Sequence, residues 1–178
     1  MKTPSPSATH EKRPSQKPAK SLPPRESPVL SAPAPTARGQ RILLADDDPG
    51  VRGSLSDVLV FEGYVVIPAN DGQQALELVA SEAIDLVLLD LNMPRKNGWD
   101  TFEQLTREHP FLPVIIVTAR PNQLFTAVGA GVGALLEKPL DIPTLLRTIK
   151  RLLAESAETR LTRLAGQATD FHYSAGRT

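Results

Sequence analysis

From Arg41 onward the sequence alternates short apolar runs with longer stretches in which apolar residues recur every three or four positions. The runs are RILLAD (41–46), YVVIP (64–68), LVLLD (86–90), VIIVT (114–118) and ALLE (134–137). They are nearly continuous, with no in-out alternation, which predicts strands buried on both faces and therefore a parallel sheet clad by helices. Segments 50–62, 71–82, 100–109 and 121–129 have helical spacing, as in Ala75, Leu78 and Val79. A last stripe, Ile142, Leu145, Leu146, Ile149 and Leu153, predicts a helix over 141–154. Five β and five α elements alternate strictly. Right-handed crossovers then leave a doubly wound, five-stranded parallel α/β sandwich, and about 115 residues suffice for its core.

This pattern is absent before Gly39. Nine of the first forty residues are proline, and Ser, Thr, Lys and Ala make up most of the rest. Such a segment buries too little apolar surface to offset its ordering entropy, so residues 1–39 are expected to be a disordered tail with polyproline II character. The chain is neutral overall, but residues 1–40 hold seven basic and two acidic residues, so the remainder is acidic. The tail reads either as a basic tether for an acidic partner or as a solvated extension; its prolines argue against a transit peptide.

Residues 40–154 form the expected domain, and 155–178 a C-terminal extension. Leu153, Ala157, Leu161 and Leu164 keep three-to-four spacing, which predicts that the last helix runs on to a stop at Gly166. That continuation reads equally as a docking or dimer surface and as a frayed extension over the domain's own flank. With 24 residues after Ala154, no helix-turn-helix or winged helix fits, so direct DNA binding is not expected. No apolar run reaches the roughly 18 residues of a membrane span and the first thirty lack a secretory h-region, so the expectation is a soluble cytoplasmic protein without membrane insertion. The absence of cysteine excludes disulfides, thiolate catalysis and zinc-thiolate sites.

In an open parallel sheet, chemistry collects beyond the carboxyl ends of the strands. Those ends carry Asp46 and Asp47 after the first strand, Asp90 after the third, Thr118 after the fourth and Lys138 just past the fifth. Two carboxylates about 4 Å apart repel by roughly 4 kcal/mol at an effective dielectric near 20, so a cation belongs among Asp46, Asp47 and Asp90. Oxygen ligands without His or Cys suit Mg²⁺, which keeps waters and shares phosphate oxygens. Asp90, ending the central strand, is the candidate nucleophile for an acyl phosphate, with Lys138 and Thr118 as donors to the phosphoryl oxygens. Asp48, followed by Pro49, is expected to cap a helix. Gly129, Gly131 and Gly133 lie between the fourth helix and fifth strand, which favours a tight connection over a nucleotide loop.

ILLADDDP, LVLLDLNMPRKNG, VIIVTAR and EKPL, in that order and spacing, resemble the receiver domain of two-component response regulators over about residues 41–154. The resemblance implies the flavodoxin-like (βα)5 fold with strand order 2-1-3-4-5, which the general rule for such sheets attributes to a chemotaxis member of this family. It implies that Asp90 accepts a phosphoryl group from a phosphohistidine on a sensor histidine kinase or histidine phosphotransfer protein. Asp47 and Asp90 would touch Mg²⁺ directly, Asp46 through water, with the Asn92 backbone carbonyl as a further ligand. Thr118 and Lys138 would sense the phosphoryl oxygens, Lys138-Pro139 would be cis, and Asn92 and Arg120 would flank the site and tune acyl-phosphate lifetime. The pattern departs at Leu135, where many receivers carry an aromatic residue that turns inward as the threonine moves.

No segment resembles a kinase domain, and His10, His109 and His172 are not placed as phosphodonors, so the donor histidine belongs to another protein. The expected function is a stand-alone receiver, not an enzyme beyond its own phosphorylation and dephosphorylation. It would act by phosphorylation-dependent binding of a downstream protein or as a phosphorelay. Two alternatives are a phosphate-independent adaptor and a haloacid-dehalogenase-like phosphatase. Asn92 stands where such phosphatases place a second aspartate.

Overall fold

The computed structural model describes residues 39–94, 97–120, 122–165 and 171–176. The chain divides into two units, Met1–Thr36 and Ala37–Thr178. The first, with the tail predicted over 1–39, lies outside the described residues apart from Gly39.

The second unit runs β1 (Arg41–Ala45), α1 (Pro49–Phe61), β2 (Val65–Ala69), α2 (Gly72–Ser81), β3 (Leu86–Asp90), α3 (Gly98–Glu108), β4 (Val114–Thr118), α4 (Leu124–Gly129), β5 (Ala134–Glu137), α5 (Ile142–Leu153), α6 (Ala157–Leu164) and β6 (His172–Ser174). The helices begin where polar side chains take up orphan amides. Asp48 accepts from Gly50 and Val51 ahead of α1, with Pro49 inside the first turn, and Asp71, Asn97 and Asp141 cap α2, α3 and α5 in the same way.

All strand pairs are parallel and the order is β2-β1-β3-β4-β5-β6. This corrects the five-stranded expectation while keeping its order within a six-stranded sheet. β5 would otherwise end the sheet with a row of unpaired backbone groups, and His172–Ser174 pairs with that edge and covers it. β3 and β4 are buried throughout, as two-faced strands should be; β2, at the opposite edge, is partly exposed.

Two apolar layers sandwich the sheet. Leu43, Val87, Leu89, Ile116 and Leu135 pack against α2, α3 and α4, while Ile42, Leu88, Ile115, Val117 and Leu136 pack against α1 and α5. Leu135 is fully buried in the first layer with Phe102 and Ala127. The α4–β5 glycines do make a tight connection. Gly131 has φ +72°, and a Cβ at Gly133 would lie 2.8 Å from the Val114 carbonyl oxygen.

The predicted continuation of the last helix to Gly166 is also corrected. α5 ends at Leu153, and Ser156 accepts from the Thr159 amide to start a separate α6. The leucine spacing crosses that break because a serine cap reads like any polar position in a helical stripe. The stop itself, Gly166, lies outside the described residues. α6 is fastened by arginines: Arg163, only 8% exposed, donates to the Gly131 carbonyl at 2.7 Å and pairs with Glu155. Arg160 donates to the carbonyls of Phe111 and Leu152. Among the described residues no helix is long and apolar enough to cross a membrane.

Candidate functional site

Because the strands are parallel, their carboxyl ends share one rim, and the register puts Asp90 opposite Val117 and Thr118 opposite Glu137. Asp46 and Asp90 are nearly fully buried there, at 1% and 3% exposure, whereas Asp47 is exposed. Carboxylate oxygens of Asp46, Asp47 and Asp90 lie within 4.8 Å of one another. Lys138 follows β5, and its ammonium stands 2.8 Å from Asp46 Oδ2 and 2.8 Å from Asp90 Oδ2. The Lys138-Pro139 peptide is cis.

The other oxygens of the two buried acids also have partners. Asp46 Oδ1 accepts from the Asp48 amide and Asp90 Oδ1 from the Asn92 amide, each at 3.0 Å. A carboxylate offers about four lone-pair directions, so both acids keep acceptor capacity for a metal. Three carboxylates without nitrogen or sulfur ligands, one of them open to solvent, fit a small hard cation that retains waters. The donor set therefore fits Mg²⁺.

Thr118 is fully buried; its Oγ1 accepts from the Arg120 amide at 3.0 Å and its carbonyl accepts from the Lys138 amide at 2.8 Å. The hydroxyl and the ammonium are thus tied through backbone. Burial works to lower the Lys138 pKa, but hydrogen bonds to Asp46 and Asp90, with their charges, more than offset it and hold the ammonium above the ordinary lysine value. The Asp48 carboxyl is held below its ordinary value by the amides of Val51 and Gly50.

The structure brings Asp46, Asp47, Asp90 and Lys138 together, and Thr118 ends β4 on the same rim. Asn92 engages it through its amide, and its side chain accepts from Arg120 Nε across the mouth. Arg52 went unnoticed in the sequence. Its guanidinium donates to the Asp46 carbonyl at 2.7 Å and fixes the β1–α1 turn beneath the acids. An arginine in a first helical turn has many possible partners, so its residue type and position carried no signal.

A buried pair of acids bridged by an ammonium, beside a third acid at a solvent opening, can hold a divalent cation and present one carboxylate oxygen to an electrophile. The response regulator receiver domain family model matches residues 42–150, more than half of the chain. The transcriptional regulatory protein CpxR of Klebsiella pneumoniae subsp. pneumoniae is 41% identical over 133 residues, covering 72% of this chain and 56% of that protein. A CheY-like receiver domain protein from Methanospirillum hungatei JF-1 superposes with a TM-score of 0.61 at 31% identity, covering 65% of this chain and 94% of that one. TrrA from Thermotoga maritima, solved in complex with Mg²⁺-BeF, gives a TM-score of 0.60 at 28% identity, covering 64% and 98%. The chain spans about half the length of the curated relatives it matches, and the Klebsiella protein is a transcriptional regulator. The expectations of a stand-alone receiver and of no DNA binding therefore find no support in these relatives. The strand-end acids, the fold and the match over 42–150 together make this chain a member of the response regulator receiver domain family of two-component signal transduction.

Proposed function

We propose that this chain accepts a phosphoryl group on Asp90 from a phosphohistidine of a sensor histidine kinase or histidine phosphotransfer protein. It passes the signal on by phosphorylation-dependent binding of a downstream protein or by phosphorelay. The observation that carries the reading is the convergence of Asp46, Asp47 and Asp90 within 4.8 Å, with Lys138 on the two buried members. An Asp90 oxygen attacks phosphorus, the P–N bond to the donor histidine breaks, and the released imidazole takes a proton. Asp46, Asp47, Asp90 and the Asn92 carbonyl would hold Mg²⁺, which would supply positive charge to offset that developing on the phosphoryl group.

The protein's own groups supply the rest. Lys138, already 2.8 Å from Asp90, donates to a phosphoryl oxygen, and Thr118, tied to it through backbone, donates its hydroxyl to another. Arg120 and Asn92, hydrogen-bonded to one another, flank the acceptor and tune the lifetime of the acyl phosphate. We assign the chain no turnover beyond its own phosphorylation and dephosphorylation.

Intact-mass spectrometry with Mg²⁺ and acetyl phosphate tests this. The parent gains one phosphoryl group only with metal, and Asp90→Asn gains none. A label that persists in Asp90→Asn would overturn the assignment. Absence of any label in the parent would favour a phosphate-independent adaptor.

A further inference from the structure

β6 belongs to no part of the chemistry above, yet it ends against it. Its register is His172 opposite Ala134, Tyr173 opposite Leu135 and Ser174 opposite Leu136. The Tyr173 hydroxyl donates to Glu137 at 3.0 Å, one residue before Lys138. Two residues past β6, Gly176 presses on Lys138 itself. A Cβ there would lie 2.6 Å from the Lys138 carbonyl oxygen, 2.9 Å from its carbonyl carbon and 3.2 Å from Pro139 Cδ. The φ of Gly176 is not in the left-handed region, so close approach is the reason for glycine here. Further back, Arg160 and Arg163 pin α6 to the carbonyls of Phe111, Leu152 and Gly131.

We propose that residues 171–176 form a strap that positions Lys138, with Gly176 as the positioning residue seated on its carbonyl. The inference rests on the reading of Lys138 and Asp90 as the phosphoryl-transfer pair. Lys138 follows β5, which would be an unsupported edge of the sheet without β6. On the inner side its amide is held by the Thr118 carbonyl. The strap supplies the restraint on the outer side. With both in place, the ammonium is held on Asp90 before a donor arrives, and no ordering of the backbone is left for the reaction step. The strap touches Glu137, Lys138 and Pro139, so its influence on phosphoryl acceptance runs through the position of Lys138.

The test compares the full chain with Gly176→Ala, with Tyr173→Phe, which loosens the strap without adding bulk, and with Ala175→Ser as an exposed control. Acetyl phosphate with Mg²⁺ gives the rate of label uptake, and calorimetric titration gives the Mg²⁺ affinity. Gly176→Ala is expected to slow uptake roughly fivefold or more, the low end of measured couplings between sites, while Mg²⁺ affinity stays within about twofold of the parent. Tyr173→Phe should slow it less, and Ala175→Ser not at all. Uptake by Gly176→Ala at the rate of Ala175→Ser overturns the inference. So does a joint fall in uptake, Mg²⁺ affinity and melting temperature, which would mean general destabilisation. If the parent takes no label, the reading of Asp90 falls instead, and the strap is judged by exchange of the Lys138 amide, which donates to the Thr118 carbonyl. Faster exchange in Gly176→Ala supports it and an unchanged rate overturns it.

Discussion

Replacing Lys138 with methionine keeps the length of the side chain and removes its charge. Asp46 and Asp90, 2% and 3% exposed at their side chains, would then face one another without the ammonium that bridges them. Two such charges 4.8 Å apart, the limit of the cluster, repel by roughly 3.5 kcal/mol at an effective dielectric of 20. Loss of one partner of a buried ion pair typically costs about 3 to 5 kcal/mol, in agreement. For a chain of this size a loss of about 3.5 kcal/mol lowers the melting temperature by roughly 7 to 14 °C in EDTA at pH 7. Mg²⁺ at about a hundred times its dissociation constant should return roughly 2.7 kcal/mol, because it replaces the missing positive charge. Thermal melts with EDTA and with Mg²⁺ decide the matter. A Lys138→Met melt within about 2 °C of the parent in EDTA, or one that Mg²⁺ leaves unmoved, would refute the electrostatic account. The pH dependence has a definite sign. The folded pKa of Lys138 is raised, so its contribution is complete below the unfolded lysine value and disappears as pH rises through the folded one. The parent should approach the variant in strong alkali.

Gly98→Ala places a Cβ 2.5 Å from the Asp90 carbonyl oxygen and from Leu91 Cα, both backbone atoms that cannot rotate away. It should cost about 1 to 3 kcal/mol in urea unfolding and reduce labelling of Asp90; wild-type stability and labelling together would show that the α3 start is free to shift. The two tyrosines should both titrate above the free phenol, Tyr64 because it is buried and Tyr173 because it is bonded to Glu137. The stabilisation from Tyr173 is present below the unfolded tyrosine pKa and lost as pH rises through the folded value, so the strap loosens in alkali. Phenolate absorbance should show one residue fewer in Tyr173→Phe, and a Tyr173 titrating at the ordinary value would contradict its bond to Glu137.

Much of this protein follows from local pattern. Apolar runs too short for helices and too continuous for one-sided strands can be buried only in a two-faced parallel sheet, and helical stripes between them demand crossovers. Once the strands are parallel, their last residues share a rim, so Asp46, Asp47, Asp90, Thr118 and Lys138 meet without any long-range information. Asp48 before Pro49 is equally local, since a cap needs only a carboxylate and the next three residues.

What tertiary structure alone decided depends on surfaces that exist only after folding. Three residues, His172, Tyr173 and Ser174, have too little apolar character to announce a strand, and they become one because β5 offers an unpaired edge. The break between α5 and α6 follows a serine cap that the continuing leucine spacing hides. Arg52 finds the Asp46 carbonyl, and Gly176 finds that of Lys138, across the fold. Backbone carbonyls carry no sequence signature, so contacts with them are settled by geometry.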